Sequence, residues 1–200
     1  MGTSDPPPEV RAWTLREWLA RVRTEADPWR TRFFDALPAS TRETIESSGR
    51  TAWLPMAIHV ELADIMEAAY GPVRAHEHYR RSFAASLREG VFGPLVRTGT
   101  RIFGTTPATL LRWLHRGWDA SFRNAGRAAG EVLGPGRGQV VYSGLPPVCT
   151  ASDPWLDSAQ GSIYGSLDAI GFDGVVRVDK STRSEGRMII SIEWSKRARG

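Results

Sequence analysis

The sequence has few lysines, one cysteine and no long apolar run. Only Lys180 and Lys196 among its 26 basic residues are lysines, and the others are arginines. The single cysteine, Cys149, cannot close an internal disulfide or build a cysteine-based zinc site, which predicts a reducing, cytoplasmic setting. No stretch of about 18 apolar residues occurs, so the sequence predicts no membrane-spanning helix.

Length and composition indicate one folded unit. The chain has 200 residues, of which 41% are hydrophobic and 24% charged, as expected for a compact domain. Residues 1–10 are rich in proline, lack the features of a secretory signal and are predicted to form a flexible tail. Residues 11–198 are predicted to form a single domain, with a helical part at 11–125 and a sheet part at 126–195.

Capping and turn signals predict helices throughout the first part. Thr14-Leu15-Arg16-Glu17 and Ser40-Thr41-Arg42-Glu43 have the form of capping boxes that open helices. Thr106-Pro107 indicates an N-cap followed by proline at the first helical position. A further helix is predicted at about 72–89, and a short one is predicted at about 95–103.

The pattern changes at Gly126. Strand-like runs at 127–133 and 139–145 flank a glycine-rich reversal, a helix follows at 153–170, and two more strands end the chain. Strands connected as adjacent pairs favour an antiparallel sheet with the helices on one side. The sequence therefore predicts an α+β fold, in which a helical N-terminal half is followed by hairpin–helix–hairpin.

No cluster of residues has the pattern of a catalytic, metal or cofactor site. The glycine-rich loop 134–138 joins two strands, whereas a nucleotide-binding loop leads from a strand into a helix. No Gly-x-Ser-x-Gly elbow is present, and none of the four histidines has the spacing of a metal-binding helix. We therefore expect a protein that is not an enzyme and holds no metal or cofactor.

The predicted helix at 153–170 has one face of small residues. Ser158, Gly161, Ser162 and Gly165 leave its backbone nearly bare, although each glycine lowers helix stability by about 1 kcal/mol relative to alanine. Something must therefore approach this face closely. The alternatives are a neighbouring helix or sheet, a small apolar ligand, or a second copy of the chain.

The predicted helix at 72–89 supplies the other candidate binding residues. His76 lies on the apolar side with Tyr79, where it is either a ligand-binding residue or a hydrogen-bonded, partly buried histidine. Arg80 and Arg81 belong to an excess of positive charge at 72–127, which holds ten basic and three acidic side chains. An acidic protein partner, the chain's own acidic N-terminal segment (residues 1–71) or nucleic acid would each explain this excess.

Several strings of the sequence resemble a paralogous protein family of unknown function that is expanded in myxobacteria. The resemblance covers about residues 30–195, in the same order. It rests on Trp53-Leu54-Pro55, Arg80-Arg81-Ser82-Phe83, Phe103-Gly104-Thr105-Thr106-Pro107-Ala108, Phe122-Arg123-Asn124-Ala125-Gly126, Gly134-Pro135-Gly136-Arg137, Gly144-Leu145-Pro146-Pro147 and Glu193-Trp194. The family implies a fold and assigns no activity to any residue.

More distantly, the order of elements resembles the sensor-domain superfamily of haem nitric-oxide-binding and vinyl-reductase-like domains and the related vesicle-tethering subunits. The haem branch carries a Tyr-x-Ser-x-Arg motif, whereas Tyr79 is followed here by Arg81 and Phe83, so no haem is expected. The superfamily implies a scaffold for small-ligand sensing or for protein association.

We therefore expect a non-enzymatic cytoplasmic module for sensing or protein interaction. Its partner would be a small apolar ligand, another protein or a second copy of the chain. The alternative is a nucleic-acid-binding protein that uses the arginine-rich helices at 72–127. The candidate binding residues are Gly161, Gly165, Ser158, Ser162, His76, Tyr79, Arg80 and Arg81.

Overall fold

The computed structural model describes residues 6–89 and 106–197, which form the predicted α+β fold. The helices of these ranges are α1 (Ala12–Arg23), α2 (Trp29–Ala36), α3 (Ala39–Ser47), α4 (Met56–Tyr70), α5 (Pro72–Glu89), α6 (Pro107–Ser121), α7 (Pro147–Thr150) and α8 (Asp153–Ala169). The strands are β1 (Glu9–Arg11), β2 (Trp53–Pro55), β3 (Phe122–Arg123), β4 (Arg127–Gly134), β5 (Arg137–Ser143), β6 (Phe172–Asp179) and β7 (Met188–Lys196). None of the described helices has the length and apolar character needed to cross a membrane.

A four-stranded sheet with the order β4-β5-β7-β6 forms the second part, and each neighbouring pair is antiparallel. Gly134 pairs with Arg137 where β4 turns into β5, so the glycine-rich loop is a reversal. In the centre of the sheet Val140 pairs with Ile190, and both side chains are fully buried. The predicted order of hairpin, helix and hairpin is confirmed.

A second, smaller sheet was not predicted. It has the order β2-β1-β3, with Val10 opposite Leu54 on one side and Phe122 on the other. The central strand β1 begins inside residues 1–10, the segment predicted as a flexible tail. Strands of two or three residues are too short to leave an alternating pattern in the sequence, and only their pairing reveals them.

Two of the predicted helix starts were wrong. α1 begins at Ala12, before the capping box at Thr14, and α3 begins at Ala39, before Ser40. The backbone N–H of Ala12 donates to the carbonyl of Ala52 at 2.9 Å. A neighbouring loop therefore satisfies a free N–H at the start of α1, a role that the prediction gave to the threonine side chain.

The predicted start of α6 is confirmed. Thr106 Oγ1 accepts a hydrogen bond from the backbone N–H of Thr109 at 3.2 Å, and Pro107 occupies the first helical position. The short helix predicted at about 95–103 lies outside the described residues.

Glycines let two pairs of elements pack backbone against backbone. A Cβ atom added at Gly165 of α8 would lie 2.3 Å from the carbonyl oxygen of Arg80 in α5. A Cβ atom added at Gly130 of β4 would lie 2.2 Å from the carbonyl oxygen of Leu111 in α6. Both distances are far shorter than any van der Waals contact, so these positions require glycine.

Candidate ligand-binding cavity

A cavity of about 300 Å³ lies between α1, α5, α6 and α8. α4, β3 and β5 add His59, Phe122 and Tyr142 to its wall. Ligand pockets in proteins commonly have volumes of about 300–1,000 Å³. The cavity is therefore large enough for a small organic molecule.

Aromatic side chains form much of the wall. Its tryptophans are Trp13, Trp18, Trp113, Trp118 and Trp155. Ring contacts with centroid separations between 4.5 and 5.5 Å run from Tyr79 through Trp18, His59, Phe122 and Trp118 to Tyr142. Such a wall is apolar and polarisable, and it favours aromatic or other apolar ligands.

His59 is held in one neutral form. Its Nδ1 accepts a hydrogen bond from the Nε1–H of Trp155 at 2.9 Å. An indole nitrogen only donates, so Nδ1 carries no hydrogen and the neutral ring has its hydrogen on Nε2. Burial lowers the pKa of His59 to about 4, because the charged ring would lose its hydration. At neutral pH the side chain is uncharged and offers one N–H group.

Three buried polar atoms of residues that line the cavity have no hydrogen-bond partner among the described residues. They are Thr14 Oγ1, Trp18 Nε1 and Tyr79 OH. The ring of Trp18 lies 5.5 Å from that of Tyr79, and Thr14 precedes Trp18 by one helical turn, so the three residues share one side of the cavity. An unpaired buried polar group costs about 1–3 kcal/mol. Because almost no surface of these atoms is accessible, they lie behind the wall and are not open to the cavity.

Serines of α8 line another part of the wall. Ser158, Ser162 and Ser166 follow one another at intervals of one turn, and all three line the cavity. Their hydroxyls donate to backbone carbonyls of the preceding turn at 2.6, 2.9 and 3.0 Å. With their hydrogens engaged, these hydroxyls can only accept a hydrogen bond from a ligand.

The side chains of a serine, a histidine and a glutamate contact one another in a row beside the cavity. Ser82 Oγ is 3.2 Å from His78 Nε2, and His78 Nδ1 is 2.9 Å from Glu25 Oε1. Burial raises the pKa of Glu25, but His78, Arg81 and Arg74 outweigh it, and the pKa falls below its ordinary value. Burial also lowers the pKa of His78. The carboxylate is therefore ionised, the imidazole is neutral, and the Ser82 hydroxyl donates to Nε2.

The small-residue face of α8 has two different neighbours. Ser158 and Ser162 line the cavity together with Tyr79. Gly161 and Gly165 face α5, and a Cβ atom added at Gly161 would lie 2.7 Å from the Cβ atom of Tyr79. The glycines thus serve close helix packing, while the serines contact the cavity.

The other candidate residues of α5 lie outside the wall. The ring of His76 packs against Tyr164 at 5.4 Å. Arg80 donates two hydrogen bonds to the carboxylate of Asp168. Arg81 donates to the carboxylate that His78 also contacts. These three residues join secondary-structure elements to one another, and none of them is part of the cavity wall among the described residues.

Arginines of the 72–127 region form ion pairs with carboxylates of the same chain. The pairs are Arg74 and Arg81 with Glu25, Arg80 with Asp168, and Arg123 with Glu9. Two of these three carboxylates belong to the acidic N-terminal segment. That segment therefore accounts for part of the positive excess, while Arg97 and Arg101 lie outside the described residues.

The sequence analysis missed Trp13, Trp18 and His59 as wall residues. Thr14 and Trp18 lie one turn apart on α1, beside the buried stripe that includes Leu15. A tryptophan next to an apolar stripe, with a hydroxyl one turn before it, was the available signal. This signal could not show that α5 and α6 lie far enough from this side of α1 to leave a cavity.

The architecture is that of H-NOX domains, which confirms the distant resemblance to the haem nitric-oxide-binding superfamily at the level of the fold. The Fe(II) unliganded H-NOX protein from K. algicida has a TM-score of 0.60 at 8% identity, over 95% of this chain and 99% of that one. The S. oneidensis H-NOX protein in the Fe(II)NO state has a TM-score of 0.56 at 11% identity, over 93% and 99%. No protein-family model and no curated protein matches the sequence, so the myxobacterial resemblance stays a prediction.

The described residues of the wall do not fit a haem group. Haem iron takes its axial ligand from histidine, cysteine, methionine or tyrosine. The Nε2 atom of His59 carries a hydrogen and has no lone pair for iron. Burial raises the pKa of both Tyr79 and Tyr142, which keeps the phenols protonated. Residues 90–105, which are not described, contain none of the four residue types by sequence.

Proposed function

We propose that this protein is a sensing module that binds a small, mostly apolar molecule in the aromatic cavity. The observation that carries the proposal is the composition of the wall, which consists largely of aromatic rings and other apolar side chains. An unfilled apolar cavity lowers the stability of a folded protein. A molecule that fills this space would remove that cost.

The fold supports a sensing role. Solved H-NOX structures include the Fe(II)NO and Fe(II)CO ligation states of S. oneidensis proteins, so the same architecture holds small ligands there. The proposal includes a protein partner, or a second copy of the chain, that responds to the liganded state. It also includes a cytoplasmic setting, which the buried free thiol of Cys149 favours.

The arrangement of Ser82, His78 and Glu25 is the observation that favours an enzyme instead. In serine hydrolases the nucleophile stands at a turn, where free backbone N–H groups stabilise the oxyanion. Ser82 lies in the middle of α5, where the surrounding N–H groups are engaged in the helix. The His78 side chain is only 1% exposed, and Glu25 also pairs with two arginines. We therefore assign this group to the joining of α5 to the segment that follows α1, and the proposed protein is not an enzyme.

The proposal can be tested with N-phenyl-1-naphthylamine, a neutral probe whose fluorescence rises in apolar surroundings. We expect the purified protein to bind it with a stoichiometry of one. Ser162→Phe places a ring in the cavity and should reduce the affinity at least tenfold. The matched control is Ser47→Phe, because Ser47 is exposed on α3 and makes the same type of hydroxyl bond to a preceding carbonyl, that of Glu43.

Thermal unfolding of both variants identifies any loss of folding. The proposal fails if a folded protein does not bind the probe. It also fails if Ser162→Phe and Ser47→Phe bind the probe as tightly as the unchanged protein, because the probe would then lie elsewhere.

A further inference from the structure

We infer that the ligand of this cavity is an elongated apolar molecule with two aromatic rings in line, lying parallel to α5, α6 and α8. The inference rests on the proposed function and adds the shape and the chemical class of the ligand. Three features carry it: the directions of the helices that line the cavity, the volume of the cavity, and the aromatic side chains in each half of its wall.

The helices α6 and α8 run in opposite directions along the cavity. At one end, His59 accepts a hydrogen bond from Trp155, near the start of α8, and its ring lies 5.5 Å from that of Phe122, directly after α6. At the other end, Leu110 near the start of α6 and Ser166 near the end of α8 line both the cavity and a small neighbouring pocket. These two regions are the His59 end and the Leu110 end. The cavity therefore has a long axis that follows both helices.

The helix α5 follows the same axis. A Cβ atom added at Gly161 would lie 2.7 Å from the Cβ atom of Tyr79. A Cβ atom added at Gly165, one turn later, would lie 3.1 Å from the Cβ atom of Phe83. Successive turns of α8 therefore lie beside successive turns of α5. The wall residues of α5 extend from Tyr79 to Leu87, a length of about 12 Å at about 1.5 Å per residue.

The volume of the cavity matches two rings placed end to end. On α8 the wall extends from Ser158 to Ser166, which is also about 12 Å of helix. An apolar cavity of about 150 Å³ can hold one benzene molecule. The present cavity has about twice that volume, about 300 Å³. Two rings would therefore fill it, and only two rings in line would reach both of its ends.

Aromatic side chains flank each half of the cavity. At the His59 end, the ring of Trp118 lies 5.2 Å from that of Tyr142, and both residues line the cavity. Towards the Leu110 end, the wall includes Phe83 and Trp113, the latter about one helical turn after Leu110. Aromatic rings pack favourably against other rings in offset or edge-to-face contacts. Each half of the wall thus suits one ring of the ligand.

The test compares three uncharged alcohols that differ in the number and direction of their rings. They are 4-biphenylmethanol, with two rings in line, its bent isomer 2-biphenylmethanol, and benzyl alcohol, with one ring. Dissociation constants are measured by isothermal titration calorimetry. We expect 4-biphenylmethanol to bind about tenfold more tightly than the bent isomer, which would have to displace side chains of the wall. It should bind about tenfold to a hundredfold more tightly than benzyl alcohol, the effect of burying a second ring.

Two variants each fill one end of the cavity with an added ring. Ser158→Phe fills the His59 end, and Ser166→Phe fills the Leu110 end. Each should weaken binding of 4-biphenylmethanol about tenfold or more, because this ligand needs both halves. Benzyl alcohol needs only one half, so its affinity should change by less than about threefold in at least one of the two variants. Ser47→Phe, on the exposed side of α3, is again the matched control and should keep all three affinities.

The outcomes separate this inference from the function on which it rests. If 2-biphenylmethanol binds as tightly as its linear isomer, the ligand shape is wrong while the cavity still binds small molecules. That comparison uses the unchanged protein, so it decides even where a variant fails to fold. The same conclusion follows if a folded Ser158→Phe or Ser166→Phe variant keeps the full affinity for 4-biphenylmethanol, because the ligand then occupies one end only. If none of the three alcohols and no N-phenyl-1-naphthylamine binds, the proposed function itself is wrong.

Discussion

The indole N–H of Trp155 donates to Nδ1 of His59 at 2.9 Å, and this bond joins α8 to α4 at the wall of the cavity. It decides which nitrogen of the imidazole carries the hydrogen. It thereby converts a side chain that could bind a metal into a hydrogen-bond donor. Trp155 thus determines the hydrogen-bonding role of His59 in the wall of the cavity.

The buried imidazole of His59 should make stability depend on pH. Its pKa is about 4 in the folded protein, against about 6.5 for an exposed histidine. Between these values the unfolded chain binds a proton that the folded protein does not, so stability falls as the pH is lowered from about 6.5 to about 4. The loss from this residue should be about 3 kcal/mol, measured by urea unfolding at a series of pH values.

Two variants isolate the contribution of His59 from those of the carboxylates. His59→Gln does not titrate, and its amide oxygen can accept the hydrogen of Trp155, so its stability should change less over this pH range. His115→Gln, at an exposed position of α6, should keep the slope of the unchanged protein. Equal slopes for all three proteins would contradict the prediction.

The contact between α5 and α8 should be intolerant of one added methyl group. In Gly165→Ala the new carbon would meet the backbone carbonyl of Arg80, which cannot move aside as a side chain can. We expect the free energy of unfolding to fall by about 2–4 kcal/mol, as measured with urea. Gly49→Ala is the control, because no atom lies within 4 Å of a Cβ atom at that position, and it should change stability by less than about 1 kcal/mol.

Ser82 should not behave as a catalytic nucleophile. Treated with a fluorophosphonate, the protein should be labelled at Ser82 no faster than at Ser47, the exposed helical serine, as measured by peptide mass spectrometry. Rapid labelling at Ser82 that disappears in His78→Asn would show an activated serine. That result would contradict the proposal that the protein is not an enzyme.

The larger elements could be predicted because their patterns repeat over many residues. The helix of residues 153–170 and the two hairpins have the expected positions, and the predicted N-cap at Thr106 is present. The small sheet could not be predicted, because β1, β2 and β3 come from distant parts of the chain and are each at most three residues long. For the same reason the start of α1 was placed too late: the groups that satisfy its first N–H groups belong to a loop about 40 residues away.

The cavity was only partly visible in the sequence. The bare face of α8 was evident from Ser158, Gly161, Ser162 and Gly165, but serines and glycines alternate along it and periodicity alone cannot assign them to different neighbours. The part of the wall on α1 gave no such signal. Tryptophans at apolar positions indicate burial, and whether they meet other side chains or an open space depends on the distance between helices.

The glycine contacts also bear on how the cavity can change its width. Gly165 holds α8 against α5, and Gly130 holds β4 against α6, in both cases at backbone contact. Neither pair can move closer together, because its backbones are already in contact. Narrowing of the cavity around a small ligand would therefore have to come from a displacement of α5 and α8 relative to α6 and β4, and not from a shorter distance within either pair.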